Sequence, residues 1–181
     1  MDAIALVNGR GFRVKMVKAG RQGYVLTKFS DPKIARHVID VGFIAHREVP
    51  RLLAAADVLI EPGRSNEFND YRFPSKLPKY LASGKPVVLP RSNIGLLLKN
   101  GEEAMVLEHG DSADIADALQ RLAADPDLRS RIGQSGRAFG CAISTGRRTL
   151  PPCRAFTSGV SWALAGRTRL PMMNPLGSSM I

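Results

Sequence analysis

The residues best suited to bind a ligand lie at the start of a short predicted helix, residues 76–83. Ser75 can cap this helix by accepting a hydrogen bond from a backbone N–H group. Pro78 falls in the first turn, where a missing amide proton costs little. Because the free N–H groups and the dipole of a helix start both favour an anion, we predict a phosphate-binding site at this point, provided that the helix points across the end of a sheet.

The segment after the helix predicts the strand that would carry such a site. Gly84 is expected in the left-handed conformation that commonly ends a helix. Val87, Val88 and Leu89 form a short apolar run that is typical of a central parallel strand. Helix, glycine and buried strand together predict a site at the edge of a parallel sheet.

Helical and strand patterns alternate along most of the chain. Helices are predicted for residues 2–10, 34–37, 47–55, 76–83, 111–124 and 125–136, and strands for residues 12–17, 38–43, 57–60, 86–89 and 104–107. Residues 24–28 are ambiguous, and residues 63–73 form a polar loop of a length that usually carries function. The alternation predicts an α/β fold, a Rossmann-like parallel sheet with helices on both faces.

Composition is typical of a globular protein. The chain has 181 residues, of which 44% are hydrophobic and 23% are charged. No apolar stretch is long enough to predict a transmembrane segment, so contact with a membrane would be peripheral. The first residues lack the basic start and long apolar region of a signal peptide, and we expect a cytoplasmic protein.

The charge is distributed unevenly and divides the chain. The net charge is +10, yet all 16 acidic residues lie at or before Asp127, and the chain from Cys141 onward carries five arginines and no acidic residue. Without a nucleic-acid-binding motif, this modest basic excess predicts no nucleic-acid partner. We expect a domain at residues 1–139 and an irregular tail at residues 140–181, either unstructured or translated out of frame. A basic arm is the alternative for the tail.

Cysteine and histidine spacing predicts neither a metal site nor a disulfide framework. Cys141 and Cys153 both lie in the tail and match no metal-binding spacing. His37, His46 and His109 have no mutual spacing typical of a metal site or a catalytic triad.

Several segments together resemble the second half of the family-4 (group 1) glycosyltransferases. The similarity covers roughly residues 3–139, and its most specific parts are residues 41–43, 49–62, 75–88, 100–104, 122–128 and 131–137. The resemblance implies a GT-B enzyme with two Rossmann-like domains. Such an enzyme transfers a sugar from a nucleotide-diphosphate donor to an acceptor, and its second domain holds the donor. It also implies no bound metal and no cofactor beyond the donor.

The resemblance assigns roles to individual residues. The cations Arg72 and Lys76, with the amides of residues 75–77, would stabilise the leaving diphosphate. Asn93 and Gly95 follow the predicted strand at its carboxyl end, where ligands of open α/β sheets bind. The full set of expected donor-binding residues is Glu67, Arg72, Phe73, Ser75, Lys76, Leu77, Lys79, Asn93 and Gly95. No catalytic residue is assigned.

The sequence departs from the family pattern at two expected glutamates. These would fall at Tyr71, on the side of the transferred sugar, and at Lys79, on the side of the donor ribose. A lysine ammonium offers donors only and cannot accept a hydrogen bond from a ribose hydroxyl. Glu67 could supply a carboxylate from the preceding loop, and Pro74 removes a backbone donor.

The resemblance also implies parts that this sequence does not show. These are the central first strand with its phosphate-clamping turn, and an N-terminal acceptor domain. We therefore expect a sheet that lacks its first strand and either closes directly or contains a hole. The expected function is the donor-binding half of a glycosyltransferase for a glycoconjugate or polysaccharide. The alternative is a non-catalytic remnant or nucleotide-binding module.

Overall fold

The computed structural model describes residues 2–20, 32–144 and 161–165, the last of these as backbone. The helices are α1 (Asp2–Gly9), α2 (Pro32–Ala35), α3 (Val49–Ala55), α4 (Glu67–Tyr71), α5 (Leu77–Ala82), α6 (Ser112–Ala124) and α7 (Pro126–Ser144). The strands are β1 (Lys15–Ala19), β2 (Val38–Asp40), β3 (Val58–Ile60), β4 (Val87–Pro90), β5 (Met105–Leu107) and β6 (Ser161–Ala165). Short 3-10 turns lie at His46–Glu48 and Asn93–Leu96.

The strands form one sheet in the order β2-β1-β6-β3-β4-β5. Strands β1 to β5 all run in the same direction, whereas β6 runs antiparallel to both of its neighbours. Ala163, in the middle of β6, lies opposite Val17 on β1 and Leu59 on β3. The Rossmann-like α/β fold predicted from the sequence is confirmed, with one antiparallel strand added.

The expectation that the sheet closes directly or contains a hole is wrong. A strand from the predicted irregular tail, β6, occupies the position between β1 and β3. Helix α7 also crosses the expected boundary at residue 139 and ends at Ser144. Residues 145–160 and 166–181 lie outside the described residues, so an unstructured or out-of-frame tail stays a prediction there.

Both faces of the sheet are covered, because successive side chains along a strand point to opposite faces and are buried on both. On β3, Val58 and Ile60 belong to one buried cluster and Leu59 to the other. The first cluster includes residues of α1 and α6, and the second includes residues of α3 and α5. Strands that are buried on both faces read as continuous apolar runs, which is the pattern that predicted them.

The polar loop expected at residues 63–73 contains a short helix, α4. Asn66 begins it, since its Oδ1 accepts hydrogen bonds from the backbone N–H groups of Phe68 at 3.1 Å and Asn69 at 2.8 Å. The ambiguous residues 24–28 lie outside the described residues. No helix in the described part of the chain is long and apolar enough to cross a membrane.

Candidate functional site

A cleft opens where β3 and β4 end, at the carboxyl edge of the parallel strands. It is lined by Glu61, Pro62, Gly63, Asn69, Arg72, Pro74, Leu89, Pro90, Ser92 and Asn93. In open α/β sheets, ligands bind outside the carboxyl ends of the strands. The cleft therefore lies where the fold places a binding site.

Glu61 lies at the base of this cleft, directly after β3. Its backbone N–H donates to the carbonyl of Val88 at 2.9 Å and so continues the pairing of β3 with β4. Its side chain is 12% exposed, and Oε2 is buried with no hydrogen-bond partner among the described residues. The sheet thus holds a carboxyl group away from water at the edge where a ligand would approach.

Arg72 approaches Glu61 from the end of α4. Its Nη2 lies 3.8 Å from Oε1 of Glu61, within ion-pair range but beyond a hydrogen bond. The guanidinium also lies 5.5 Å from the centre of the Phe68 ring, a cation–π contact. Within the described residues, its buried Nε has no hydrogen-bond partner. Arg72 is therefore held in place by its ion pair with Glu61 and its contact with the Phe68 ring. Its Nε–H group remains able to donate a hydrogen bond to a ligand.

Helix α4 is fastened to the rest of the cleft by side chains. Ser65 Oγ donates to the carboxylate of Asp70 at 2.9 Å, and Asn93 Nδ2 donates to the backbone carbonyl of Asp70 at 3.1 Å. Asn93 adopts a φ of 48°, in the left-handed region that few residues other than glycine occupy. This contact couples the turn after β4 to the helix that carries Arg72.

Lys76 is the N-cap of α5 and does not line the cleft, but its charge interacts with the Glu61 carboxylate there. Burial lowers the pKa of Lys76 to about 8, Glu61 opposes that shift, and Arg72 adds to it. Burial also raises the pKa of Glu61, which the charges of Lys76 and Arg72 oppose. The protonation states of Lys76 and Glu61 therefore depend on each other, and the positive charge of Arg72 influences both.

The helix start itself differs from the prediction. Helix α5 begins at Leu77, its N-cap is Lys76, and no side chain caps it, so the expectation of Ser75 as cap is wrong. The Leu77 N–H donates to the carbonyl of Pro74 at 3.0 Å, which removes this amide from the predicted phosphate site. A six-residue helix with proline in its first turn offers few free amides. The charge available to an anion comes mainly from side chains.

The other predicted residues do not all meet in the cleft. Phe73 and the buried Leu77 line an apolar hollow against α7 instead. Gly95 is buried, and an added Cβ would overlap the carbonyl oxygen of Pro90, which gives this glycine a packing role. Lys79 Nζ lies 3.3 Å from Nε2 of His46, and Glu67 is exposed at the start of α4.

Three polar lining residues were missed by the sequence reasoning: Glu61, Asn69 and Ser92. Glu61 and Ser92 each lie just after the carboxyl end of a predicted strand. The same position is the reason why Asn93 is predicted as a ligand contact. Because ligands of open α/β sheets bind outside the carboxyl ends of the strands, the sequence contains the signal for both residues. Asn69 carries no comparable signal, because its helix was read as a loop.

The described residues contain no group of three or more histidine, cysteine or acidic side chains that could hold a metal ion.

The family model for glycosyl transferases group 1 matches residues 1–125. The chain belongs to this family. A curated relative, the alpha-D-kanosaminyltransferase of Streptomyces kanamyceticus, is 24% identical over 102 residues, which are 56% of this chain and 25% of that protein.

Two solved structures share the fold of this chain. HepE of Anabaena, determined in complex with UDP, is 20% identical with a TM-score of 0.64, and the match covers 77% of this chain and 38% of HepE. The C-terminal domain of the group 1 protein LpcC of Francisella tularensis is 24% identical with a TM-score of 0.54, and the match covers 66% of this chain and 60% of that domain. The chain spans about a quarter of its curated relative and well under half of HepE. The expected resemblance to part of a group 1 glycosyltransferase is confirmed.

Proposed function

We propose that this chain is the donor-binding part of a glycosyltransferase that uses a nucleoside-diphosphate sugar. The observation that carries the proposal is the cation Arg72 in the lining of a cleft at the carboxyl ends of β3 and β4, in a chain of this family. Lys76, at the start of α5, adds a second positive charge that interacts with Glu61 in the same cleft. Two structures of HepE, one with UDP and glucose and one with UDP-glucose, support a nucleotide sugar as the donor class.

The proposed chemistry is breakage of the bond between the sugar's anomeric carbon and the diphosphate oxygen, with bond formation to an acceptor oxygen. The acceptor gives up a proton, and the diphosphate leaves with the bonding electrons. Arg72 and Lys76 would take up that developing negative charge, which is the largest electrostatic demand of the step. In this proposal no metal is needed, because side-chain cations perform that task. No catalytic base is assigned.

Transfer also needs an acceptor site. We propose that an acceptor domain, such as the one that the GT-B architecture supplies, completes the enzyme. The proposed setting is cytoplasmic synthesis of a glycoconjugate or polysaccharide.

The alternative is a nucleotide-binding module or remnant without transferase activity of its own. Lys79 favours it, since an ammonium stands at the position where the family pattern places the ribose-binding carboxylate.

Calorimetric titration of the chain with UDP-, GDP- and ADP-sugars, followed by an assay for sugar release or transfer, separates these functions. We expect saturable binding of at least one donor and of its nucleoside diphosphate. In the variant Arg72→Met, affinity should fall about tenfold, because a hydrogen bond to a charged group contributes about 1.5–3 kcal/mol. Arg121→Met, the same substitution at an exposed arginine on α6, is the matched control.

Turnover would support the transferase, and binding without turnover the module. If no donor produces heat and Arg72→Met changes nothing, the remnant interpretation is correct and the proposed function is wrong.

A further inference from the structure

Glu61 has no assigned role, although its placement is unusual for a carboxylate. It follows β3, its backbone N–H donates to the carbonyl of Val88, and its side chain is only 12% exposed. Its Oε2 atom is buried and has no hydrogen-bond partner among the described residues. Buried polar groups nearly always have a partner, so an unpaired carboxylate oxygen at the ligand-binding edge of the sheet points to a partner supplied by a ligand.

Arg72 carries a matching unpaired atom. Its Nη2 lies 3.8 Å from Oε1 of Glu61, while its buried Nε has no hydrogen-bond partner in the part of the chain that the structure describes. Both residues line the same cleft. The two side chains therefore face each other as a pair of charges, and the pair leaves one acceptor and one donor unused.

The charges of the pair restrict the kind of group that can bind there. A phosphate oxygen can accept from Arg72, but the Glu61 carboxylate repels it. An ammonium group can donate to Glu61, but the guanidinium repels it. A hydroxyl group is neutral and has both a donor and acceptor lone pairs, so it can donate to Glu61 and accept from Arg72 at the same time.

The size of the cleft agrees with a hydroxyl group. Its volume is about 20 Å³, and a water-sized group needs roughly 10–15 Å³. The base of the cleft can therefore hold one hydroxyl group. Rotation about the terminal bond of a glutamate has a broad energy profile, so either oxygen of Glu61 can turn toward such a group.

We propose that Glu61 and the Nε–H group of Arg72 bind one hydroxyl group of the nucleotide-sugar donor. This inference rests on the proposed function, because it assigns a subsite within the same cleft. The hydroxyl donates to the Glu61 carboxylate and accepts from Nε, which leaves the other N–H groups of Arg72 for the diphosphate. The hydroxyl belongs to the transferred sugar or to the ribose, since both offer the same chemistry.

Calorimetry of the full chain with three probes tests the proposal and separates the two sources. UDP-glucose carries both kinds of hydroxyl, UDP carries only those of the ribose, and inorganic pyrophosphate carries neither. Glu61→Met keeps an unbranched side chain of similar length and removes the acceptor. Affinity for the probe with the bound hydroxyl should fall by about tenfold or more, because a hydrogen bond to a charged acceptor is lost.

Pyrophosphate should bind to Glu61→Met as well as to the unaltered chain or better, because a negative charge has been removed. A loss confined to UDP-glucose assigns the hydroxyl to the transferred sugar. An equal loss for UDP-glucose and UDP assigns it to the ribose. If the unaltered chain prefers GDP-glucose or ADP-glucose, that nucleotide sugar and its nucleoside diphosphate replace the uridine probes.

Three further variants separate hydroxyl binding from a structural effect. Glu61→Gln keeps the shape of the side chain and a neutral acceptor, so its loss should be smaller than that of Glu61→Met. Arg72→Lys keeps the positive charge without the Nε–H group and should weaken the affected probe more than pyrophosphate. Glu102→Met, at an exposed carboxylate paired with Lys99, is the matched control and should change none of the affinities.

Analogues of the affected probe that lack one hydroxyl group at a time identify the group that is bound. The unaltered chain should bind one of these analogues about as weakly as Glu61→Met binds the intact probe. For that analogue, Glu61→Met should cause no further loss.

Equal losses for all three probes in both Glu61 variants, or no loss for any probe, would overturn the inference. The first result shows a structural effect, and the second shows that Glu61 does not contact the donor. In either case the proposed function stands as long as the unaltered chain binds a nucleotide sugar. If it binds none of UDP-, GDP- and ADP-glucose, the proposed function fails, and this inference fails with it.

Discussion

Position 79 is one of two positions at which the family resemblance predicts a glutamate and the chain carries another residue. Lys79 follows Lys76 by three residues, so both side chains leave the same face of the α5 region. Its ammonium lies 3.3 Å from Nε2 of His46, and both side chains are exposed. A cation at this position favours phosphate. It cannot accept a hydrogen bond from a ribose hydroxyl group, since its hydrogen-bonding groups are all donors.

We predict that Lys79→Glu raises the affinity of the chain for UDP about tenfold. The new carboxylate would accept hydrogen bonds from the ribose hydroxyl groups, which are worth about 1.5–3 kcal/mol when the acceptor is charged. Added negative charge weakens binding of the diphosphate, and part of the gain is lost for that reason. Calorimetry with UDP and with inorganic pyrophosphate at the same pH and salt concentration measures both effects.

Pyrophosphate supplies the internal control, because it has no ribose and should bind more weakly to Lys79→Glu. Lys99→Glu, at an exposed site after the Asn93–Leu96 turn, controls for net charge and should weaken both ligands slightly. Equal weakening of UDP and pyrophosphate by Lys79→Glu would show that position 79 does not face the ribose.

At the scale of the elements, α7 packs closely against its neighbours along a face that carries glycines. Gly133, Gly136 and Gly140 recur at intervals of three and four residues and so lie on one face of α7. A Cβ on Gly136 would lie 2.6 Å from the carbonyl oxygen of Glu103, and one on Gly140 would lie 3.0 Å from Cβ of Leu81. The helix therefore rests directly on the backbone that supports α5 and, through it, on the candidate site.

We predict that Gly133→Ala destabilises the chain by about 1–3 kcal/mol. A Cβ there would overlap the backbone carbonyl of Gly84, and backbone cannot move aside as a flexible side chain can. Urea denaturation followed by circular dichroism gives the free energy of unfolding.

Gly9→Ala is the matched control, because Gly9 is also helical and an added Cβ meets nothing within 4 Å. It should be neutral or stabilise by about 0.4–1 kcal/mol. Equal effects of the two substitutions would mean that α7 does not pack as described.

The elements also show how far the sequence predicts this structure. The apolar residues 58–60 and 87–89 predict their strands within a residue or two, because burial on both faces leaves no polar position. Helix α4 was missed, although Asn66 is a normal N-cap, because its five residues contain no apolar repeat. The cap expected at Ser75 failed because the carbonyl of Pro74 takes the Leu77 amide, a local competition that residue types do not reveal.

The candidate site was predictable to a similar degree. Arg72 and Asn93 line the cleft, whereas Lys76 does not line it and interacts with it through its charge. Phe73 and Leu77 lie elsewhere, since their apolar side chains pack toward α7. Glu61 was not selected, because its importance comes from the burial of charges that are distant in sequence.

At the scale of the whole molecule, the sheet depends on one strand. β1 and β3 do not pair with each other, and β6 connects the pair β2-β1 to the group β3-β4-β5. The two α/β parts still share the core through α1 and α6. Without β6, the inner edges of β1 and β3 would leave backbone N–H and C=O groups unpaired, which is costly away from water.

We predict that shortening the chain to residues 1–144 lowers the melting temperature by more than about 10 °C relative to residues 1–165. In a domain of this size, 1 kcal/mol corresponds to about 2–4 °C, and two open strand edges cost several kcal/mol. Differential scanning calorimetry measures the transition. The pair of chain lengths is matched, because the longer one retains β6 and differs from the full chain by residues 166–181 alone.

A substitution inside β6 tests the same dependence without removing any of the chain. Proline at Ala163, which lies opposite both Val17 and Leu59, lacks the N–H group and is tolerated poorly in a central strand. Ala163→Pro should therefore lower the melting temperature of the full chain toward that of residues 1–144. Identical transitions in all of these proteins would show that β6 does not hold the sheet together, because a strand that completes the central ladder cannot be lost without exposing its neighbours.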